Sequence, residues 1–153
     1  MTGKDPQKQF HDALERLELG LETPFVPGDL EQWFAALSEA VRETDELIHP
    51  LFERTHKAQL NEIFQEDPGL EHRVEQLQRQ DRETLEQFER FASKVERLAA
   101  TASKVEPDEA RIKKSCYKLA EEGLAVVIAA RKQEVAIRTW LIEALERDRG
   151  VVD

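Results

Sequence analysis

Residues 67–107 read DPGLEHRVEQLQRQDRETLEQFERFASKVERLAATASKVEP, and this stretch decides the fold. Between Gly69 and Pro107 it contains neither glycine nor proline, and Glu, Gln, Arg, Leu and Ala dominate it. At about 100° per residue, Leu70, Val74, Leu77, Asp81, Thr84, Phe88, Val95 and Ala99 share one face. Asp67 is placed to cap, and Pro68 has the fixed φ that suits a first helical position. The spacing predicts a helix over 68–103.

The same reading extends outward. Pro24, Pro27 and Gly28 break the chain upstream, and Asp29 with Gln32 three positions on forms a capping-box pattern. A second helix is expected over 29–64, with Leu30, Phe34, Leu37, Val41, Thr44, Ile48 and Phe52 inward and a kink or break near Pro50. A short helix over 6–21 carries Phe10, Leu14, Leu17 and Leu21. A last helix covers 107–148 and ends before Gly150. Strand-forming runs of Val, Ile, Thr and Tyr are absent. Short connections make consecutive helices antiparallel neighbours, so the 153 residues are expected to form one all-α domain, an up-down-up-down four-helix bundle.

Composition limits what such a bundle does. Apolar residues make up 40% and charged residues 35%, enough for one core under a charged skin, and too few apolar residues for a membrane protein. The formal charge of −10 repels phosphate backbones and argues against nucleic-acid binding. The single cysteine excludes a disulfide framework and a polythiolate zinc site. No signal peptide or membrane span is visible, which makes the cytoplasm the expected location.

The fourth helix has two apolar stripes. Tyr117, Ala120, Leu124, Val127, Ile128, Val135, Ile142 and Leu145 are assigned to the core, with Arg131 and Arg138 among them. Val126, Ala130, Ile137, Trp140, Leu141 and Ala144 lie roughly opposite. The first helix covers part of that second stripe, and the remainder is expected to be a homodimer contact through Val126, Ile137, Trp140 and Leu141, with Trp140 as anchor. Asp81 interrupts the third stripe, and Asp45 lies beside Val41 and Ile48. Buried charges need partners. Asp45, Asp81, Arg131 and Arg138 are therefore a candidate internal ionic cluster, with Asp81–Arg131 its leading pair. The bland alternative is that Asp45 and Arg138 reach water.

Two Glu-x-x-His pairs, Glu46 with His49 and Glu53 with His56, invite a metal reading. Both lie on one helix, roughly 80–160° from its apolar stripe, which favours a solvated face unless Pro50 rotates the later pair inward. His11 and His72 also fall outside their stripes, so no three-histidine centre emerges. Cys116 lies among lysines that would favour a thiolate redox role. Its alternative is a small residue at the core edge.

Several of these stretches resemble the hemerythrin-like (HHE cation-binding) family. The second helix of that family carries His-His-x-x-Glu-Glu-x-x-Leu-Phe-Pro; here Val41-Arg42-Glu43-Thr44-Asp45-Glu46-Leu47-Ile48-His49-Pro50 keeps the acids Asp45 and Glu46 and the proline. Glu71-His72 matches the Glu-His that opens the family's third helix. Ala130-Arg131-Lys132-Gln133-Glu134 stands where the fourth has His-Ile-x-x-Glu. Val41 or Arg42, and Ala130 or Arg131, replace the ligand histidines. The resemblance implies a relative that has lost its di-iron site, with the ionic cluster in the vacated space. The expected function is that of a metal-free, non-enzymatic interaction or sensing module, dimeric through its fourth helix or docking another protein. The alternative is a divergent di-iron or other metal protein handling oxygen or metal, with ligands from Asp45, Glu46, His49, His72, Asp81 and Glu134. A thiol redox protein acting through Cys116 is a third class.

Overall fold

A computed structural model describes residues 5–26, 28–104 and 108–152, the last five for their backbone alone. The chain is an all-α four-helix bundle. Its elements are α1 (Pro6–Glu22), α2 (Leu30–Pro50), a π-helical turn (Leu51–Thr55), α3 (His56–Glu66), a 3-10 turn (Pro68–Leu70), α4 (Glu71–Ala102) and α5 (Glu109–Val152). The α2, π and α3 segments run on without a break, so they form one rod of the four.

Local chemistry sets the boundaries. Asp5 accepts a hydrogen bond from the Gln7 amide at 3.0 Å, with Pro6 opening α1 behind it. Asp67 accepts from the Gly69 amide at 3.1 Å, and Pro68 starts the 3-10 turn that leads into α4. Asp29 precedes α2 with no side-chain cap, so the capping box expected with Gln32 does not form. Gly28 turns the chain there with φ 94°, a left-handed conformation glycine adopts without strain.

Pro50 has a larger effect than a kink. It lacks the N–H that would donate one turn back, and the helix relaxes into a π-helical turn at Leu51–Thr55. One extra residue in that turn takes about 100° out of the helical phase. Phe52 stays inside, and His56, Leu60 and Ile63 follow it inward.

The interior divides into two apolar clusters. The larger is built on all four rods, with Phe10, Leu14 and Leu17 of α1, Phe34 and Ile48 of α2, Phe88 and Phe91 of α4, and Cys116, Leu119, Val127 and Ala130 of α5. The smaller contains Leu60 and Ile63 of α3, Val74 and Leu77 of α4, and Ile137 and Ala144 of α5, with Trp140 and Leu141 packed on it. No described residue of α1 contributes to the smaller cluster. The interior is thus four rods deep over most of its length and three rods deep at one end.

The stripes expected for the first three rods are the observed ones, apart from Leu70 and Ala99, which are half-buried. On α5 the expected core stripe holds at Val127, with Ala120 and Leu124 half-buried against the core, and fails at its bulkier members. Val126, Ala130, Ile137 and Ala144 are buried in this chain's own core, whereas Tyr117, Ile128, Val135 and Ile142 are exposed. Val126 and Ile137 are consequently unavailable as a dimer contact. Trp140 and Leu141 pack on the smaller cluster, and the Arg73 guanidinium lies over the Trp140 ring at 4.8 Å. The reason is steric. A Cβ on Gly123 would lie 2.7 Å from both Leu21 and Phe91, so α5 turns its smallest residues, Gly123, Ala130 and Ala144, to its neighbours.

Candidate functional site

Between the two apolar clusters lies a polar layer. On each rod that crosses it, the polar residue stands between a residue of one cluster and a residue of the other: His56 between Phe52 and Leu60, Asp81 between Phe88 and Leu77, Gln133 between Ala130 and Ile137. His56 is fully buried, Asp81 and Gln133 nearly so. The Glu134 side chain keeps 12% of its surface exposed.

The layer is fully hydrogen-bonded. His56 Nδ1 donates to both Asp81 oxygens, at 3.1 and 3.0 Å. His56 Nε2 donates to Glu134 Oε1 at 2.6 Å. The Gln133 amide nitrogen donates to Asp81 Oδ1 at 2.7 Å and to the Leu77 carbonyl at 3.1 Å. Among the described residues no buried side-chain nitrogen or oxygen lacks a partner. The His56 ring also lies against Phe52, 4.4 Å between centroids.

Burial alone would strip the proton from His56. The hydrogen bonds and charges of Asp81 and Glu134 outweigh that effect and raise its pKa to about 9. At neutral pH the ring is an imidazolium between two carboxylates. Neither nitrogen then carries a free lone pair, so His56 is neither a general base nor a metal ligand in this arrangement.

The ionic cluster expected from the sequence is corrected on three of its four members. Asp81 is buried, and its partners are His56 and Gln133 instead of Arg131. Arg131 makes a two-pronged contact with Glu18 of α1, at 2.9 and 3.0 Å, where both side chains are about one-third exposed (32%). That contact holds the Glu18 carboxyl below the usual range and raises Arg131. Arg138 is exposed, and Asp45 is exposed beside His49 at 3.4 Å. The assignment of all four histidines to the outside fails at His56, because the extra residue of the π turn rotates it inward.

The metal candidates do not converge. Asp81 and Glu134 meet at His56, while Glu46 is exposed and paired with Arg42 at 3.2 Å. His49 is half-buried, with Asp45, Glu53 and Glu89 at 3.4–3.6 Å. His72 is 99% exposed. Where the resemblance would place ligand histidines, Val41 and Ala130 are buried apolar residues, Arg42 is exposed and Arg131 is held by Glu18. This donor set does not fit a di-iron group. Among the described residues no group of three or more His, Cys, Asp or Glu is arranged to hold a metal ion. Cys116 is buried, and its thiol is pushed up to about 11 by desolvation, which leaves it a core residue and a poor nucleophile.

Sequence reasoning missed Gln133 and gave His56 an inward position only through a rotation at Pro50, the less favoured reading. The signal for Gln133 was present: on the face Val126–Ala130–Ile137–Ala144 it is the one polar break, as Asp81 is on α4. Among the described residues no helix is long and apolar enough to cross a membrane. No family model, no curated protein and no solved structure matches this chain.

Proposed function

We propose that this chain is a metal-free bundle of hemerythrin-like architecture that works as a non-enzymatic interaction module, pairing with a second copy through the outer face of α5. One observation carries the reading. Tyr117, Ile128, Val135 and Ile142 are 61, 54, 55 and 50% exposed along that face. Large apolar side chains aligned in water mark an interaction surface. Ile128, Val135 and Ile142 recur at the seven-residue spacing of a helix–helix seam. An isologous contact uses the same face twice, so an axis through Val135 sets each Ile128 beside Ile142 of the second copy.

The metal-free part rests on the polar layer. Its imidazole has both nitrogens engaged by carboxylates, and a di-iron centre needs imidazole lone pairs. Elemental analysis of protein expressed in iron-supplemented medium checks this. Substoichiometric metal in a folded, helical protein is expected, and a di-iron complement would overturn it.

Pairing is tested by sedimentation equilibrium at micromolar concentration. Wild type is expected as a dimer, and Ile142→Glu as a monomer of unchanged helicity. A monomeric wild type overturns the pairing.

A further inference from the structure

The end of α1 leaves the polar layer open on one side. α1 starts at Pro6, at the level of the layer, and Phe10 stacks edge-on against Phe52 there. Between the first turns of α1 and the middle of α5 lies a cleft of about 450 Å³, within the range of small-molecule sites. Phe10, Leu14 and Val135 give it apolar walls, and Glu134 lines it from the side of the layer.

Glu134 has two different oxygens. Oε1 is taken by His56 Nε2. No described residue donates to Oε2, and no buried polar atom is left without a partner, so Oε2 keeps a surface of its own on a side chain that lines the cleft. Asp81, His56 and Glu134 carry two negative charges and one positive, which makes this side of the cleft negative. Lys8 and Arg138, also lining the cleft, are exposed, and neither has an acidic partner among the described residues. Arg131 also lines the cleft, where Glu18 neutralises it, and Asp5 adds an exposed carboxylate at the first turn of α1; Glu134, Lys8 and Arg138 present charges of both signs beside apolar walls. A simple anion meets the Glu134 charge, and a simple cation meets Lys8 and Arg138. A ligand with both charges a few ångströms apart and an apolar body matches all three surfaces.

We propose that this cleft binds an α-amino acid with an apolar side chain, its ammonium donating to Glu134 Oε2 and its carboxylate accepting from Arg138 and Lys8. The site goes beyond the pairing face of α5, with which it shares Val135, and is read on the monomeric Ile142→Glu variant as well as on wild type. It gives the bundle a small-molecule input next to its only fully buried imidazole among the described residues.

The test is titration of the full chain with L-leucine by calorimetry and ligand-observed NMR. Two comparators each lack one charge: 3-methylbutylamine and 4-methylpentanoate. Inorganic phosphate is a third. L-leucine is expected to bind with a Kd below about 1 mM, and each comparator at least about tenfold more weakly. Arg138→Gln, a change at an exposed position, should weaken L-leucine about tenfold and leave 3-methylbutylamine unchanged. Glu134→Gln should abolish binding, and circular dichroism reports whether that variant stays folded. Three results overturn the proposal: no L-leucine binding at about 10 mM, equal binding of a comparator or phosphate, or an Arg138→Gln variant that binds L-leucine as wild type does. Loss of pairing in Ile142→Glu, a position outside the cleft, bears on the α5 face and leaves the Arg138 result interpretable.

Discussion

Two ionic clusters lie close together on α5, and they differ in almost every physical respect. Glu134 belongs to the layer with His56 and Asp81, where water reaches only an edge. Arg131, three residues earlier, meets Glu18 in a contact with about one-third of each side chain in water. The geometry of both is good. The difference is the medium. In the layer each charge depends on its partners, because water cannot replace them, whereas at the surface water replaces a lost partner at little cost.

The comparison is broken most sharply at Asp81. Asp81→Leu leaves the His56 imidazolium with one carboxylate and the Gln133 amide with only the Leu77 carbonyl as acceptor. It should lower stability by about 3–5 kcal/mol in urea unfolding. Replacing His56 and Asp81 together by leucine should cost less than the single change, because the buried imidazolium goes with its partner and the one charge left, Glu134, has an edge in water. A double variant as damaged as the sum of the singles would mean that the layer stabilises mainly by packing.

Next in size is a pH effect. The folded state binds the His56 proton more tightly than the unfolded chain, about 9 against 6.5. A raised pKa of a base contributes stability that is fully present below about 6.5 and is lost as pH rises through about 9. The shift corresponds to about 3 kcal/mol. Urea midpoints measured from pH 6 to 10 should fall over that window, and a His56→Gln variant should show a flatter profile. The Glu18–Arg131 contact predicts no such alkaline loss, since Arg131 is raised from a value already far above it.

Gly123 sharpens a different contrast, between a helix's propensity and its packing. Gly123→Ala favours the helix by about 1 kcal/mol in propensity. Here the new Cβ would lie 2.7 Å from Leu21 Cδ1 and from Phe91. Overpacking costs about 1–3 kcal/mol, so the net is a loss of about 1 kcal/mol, visible as a lower melting temperature. A stabilised variant would mean that α1 gives way at Leu21.

How much was legible follows from these residues. On α1, α2 and α4 a single apolar stripe faces polar residues, so helical phase alone finds the core, and Asp81 stands out as the charge on it. Two features defeat that method. Pro50 shifts the phase through a π turn whose size a proline does not announce, and His56 is lost to the count. α5 carries apolar residues on two faces, so its phase is ambiguous. Its inward face is decided by side-chain size, with Gly123, Ala130 and Ala144 allowing close approach. Bulk attracted the assignment to Tyr117, Ile128, Val135 and Ile142, which are exposed. From that error followed the pairing of Asp81 with Arg131 and the choice of Val126 and Ile137 as an interface.

Arg131 is where the two readings predict different numbers. A buried Asp81–Arg131 pair would make Arg131→Leu cost about 3–5 kcal/mol. The observed partner is Glu18, at 2.9 and 3.0 Å but one-third exposed. An exposed pair is worth about 1 kcal/mol or less, and salt screens it further. Arg131→Leu should therefore shift the urea midpoint slightly, and by less at high salt. The sign of its pH dependence is also fixed: Glu18 is lowered by Arg131, so the contact contributes above the ordinary glutamate range and fades as the carboxylate is protonated. As acid protonates Glu18, wild type and Arg131→Leu should converge. A loss of several kcal/mol at neutral pH would instead place Arg131 in the buried layer.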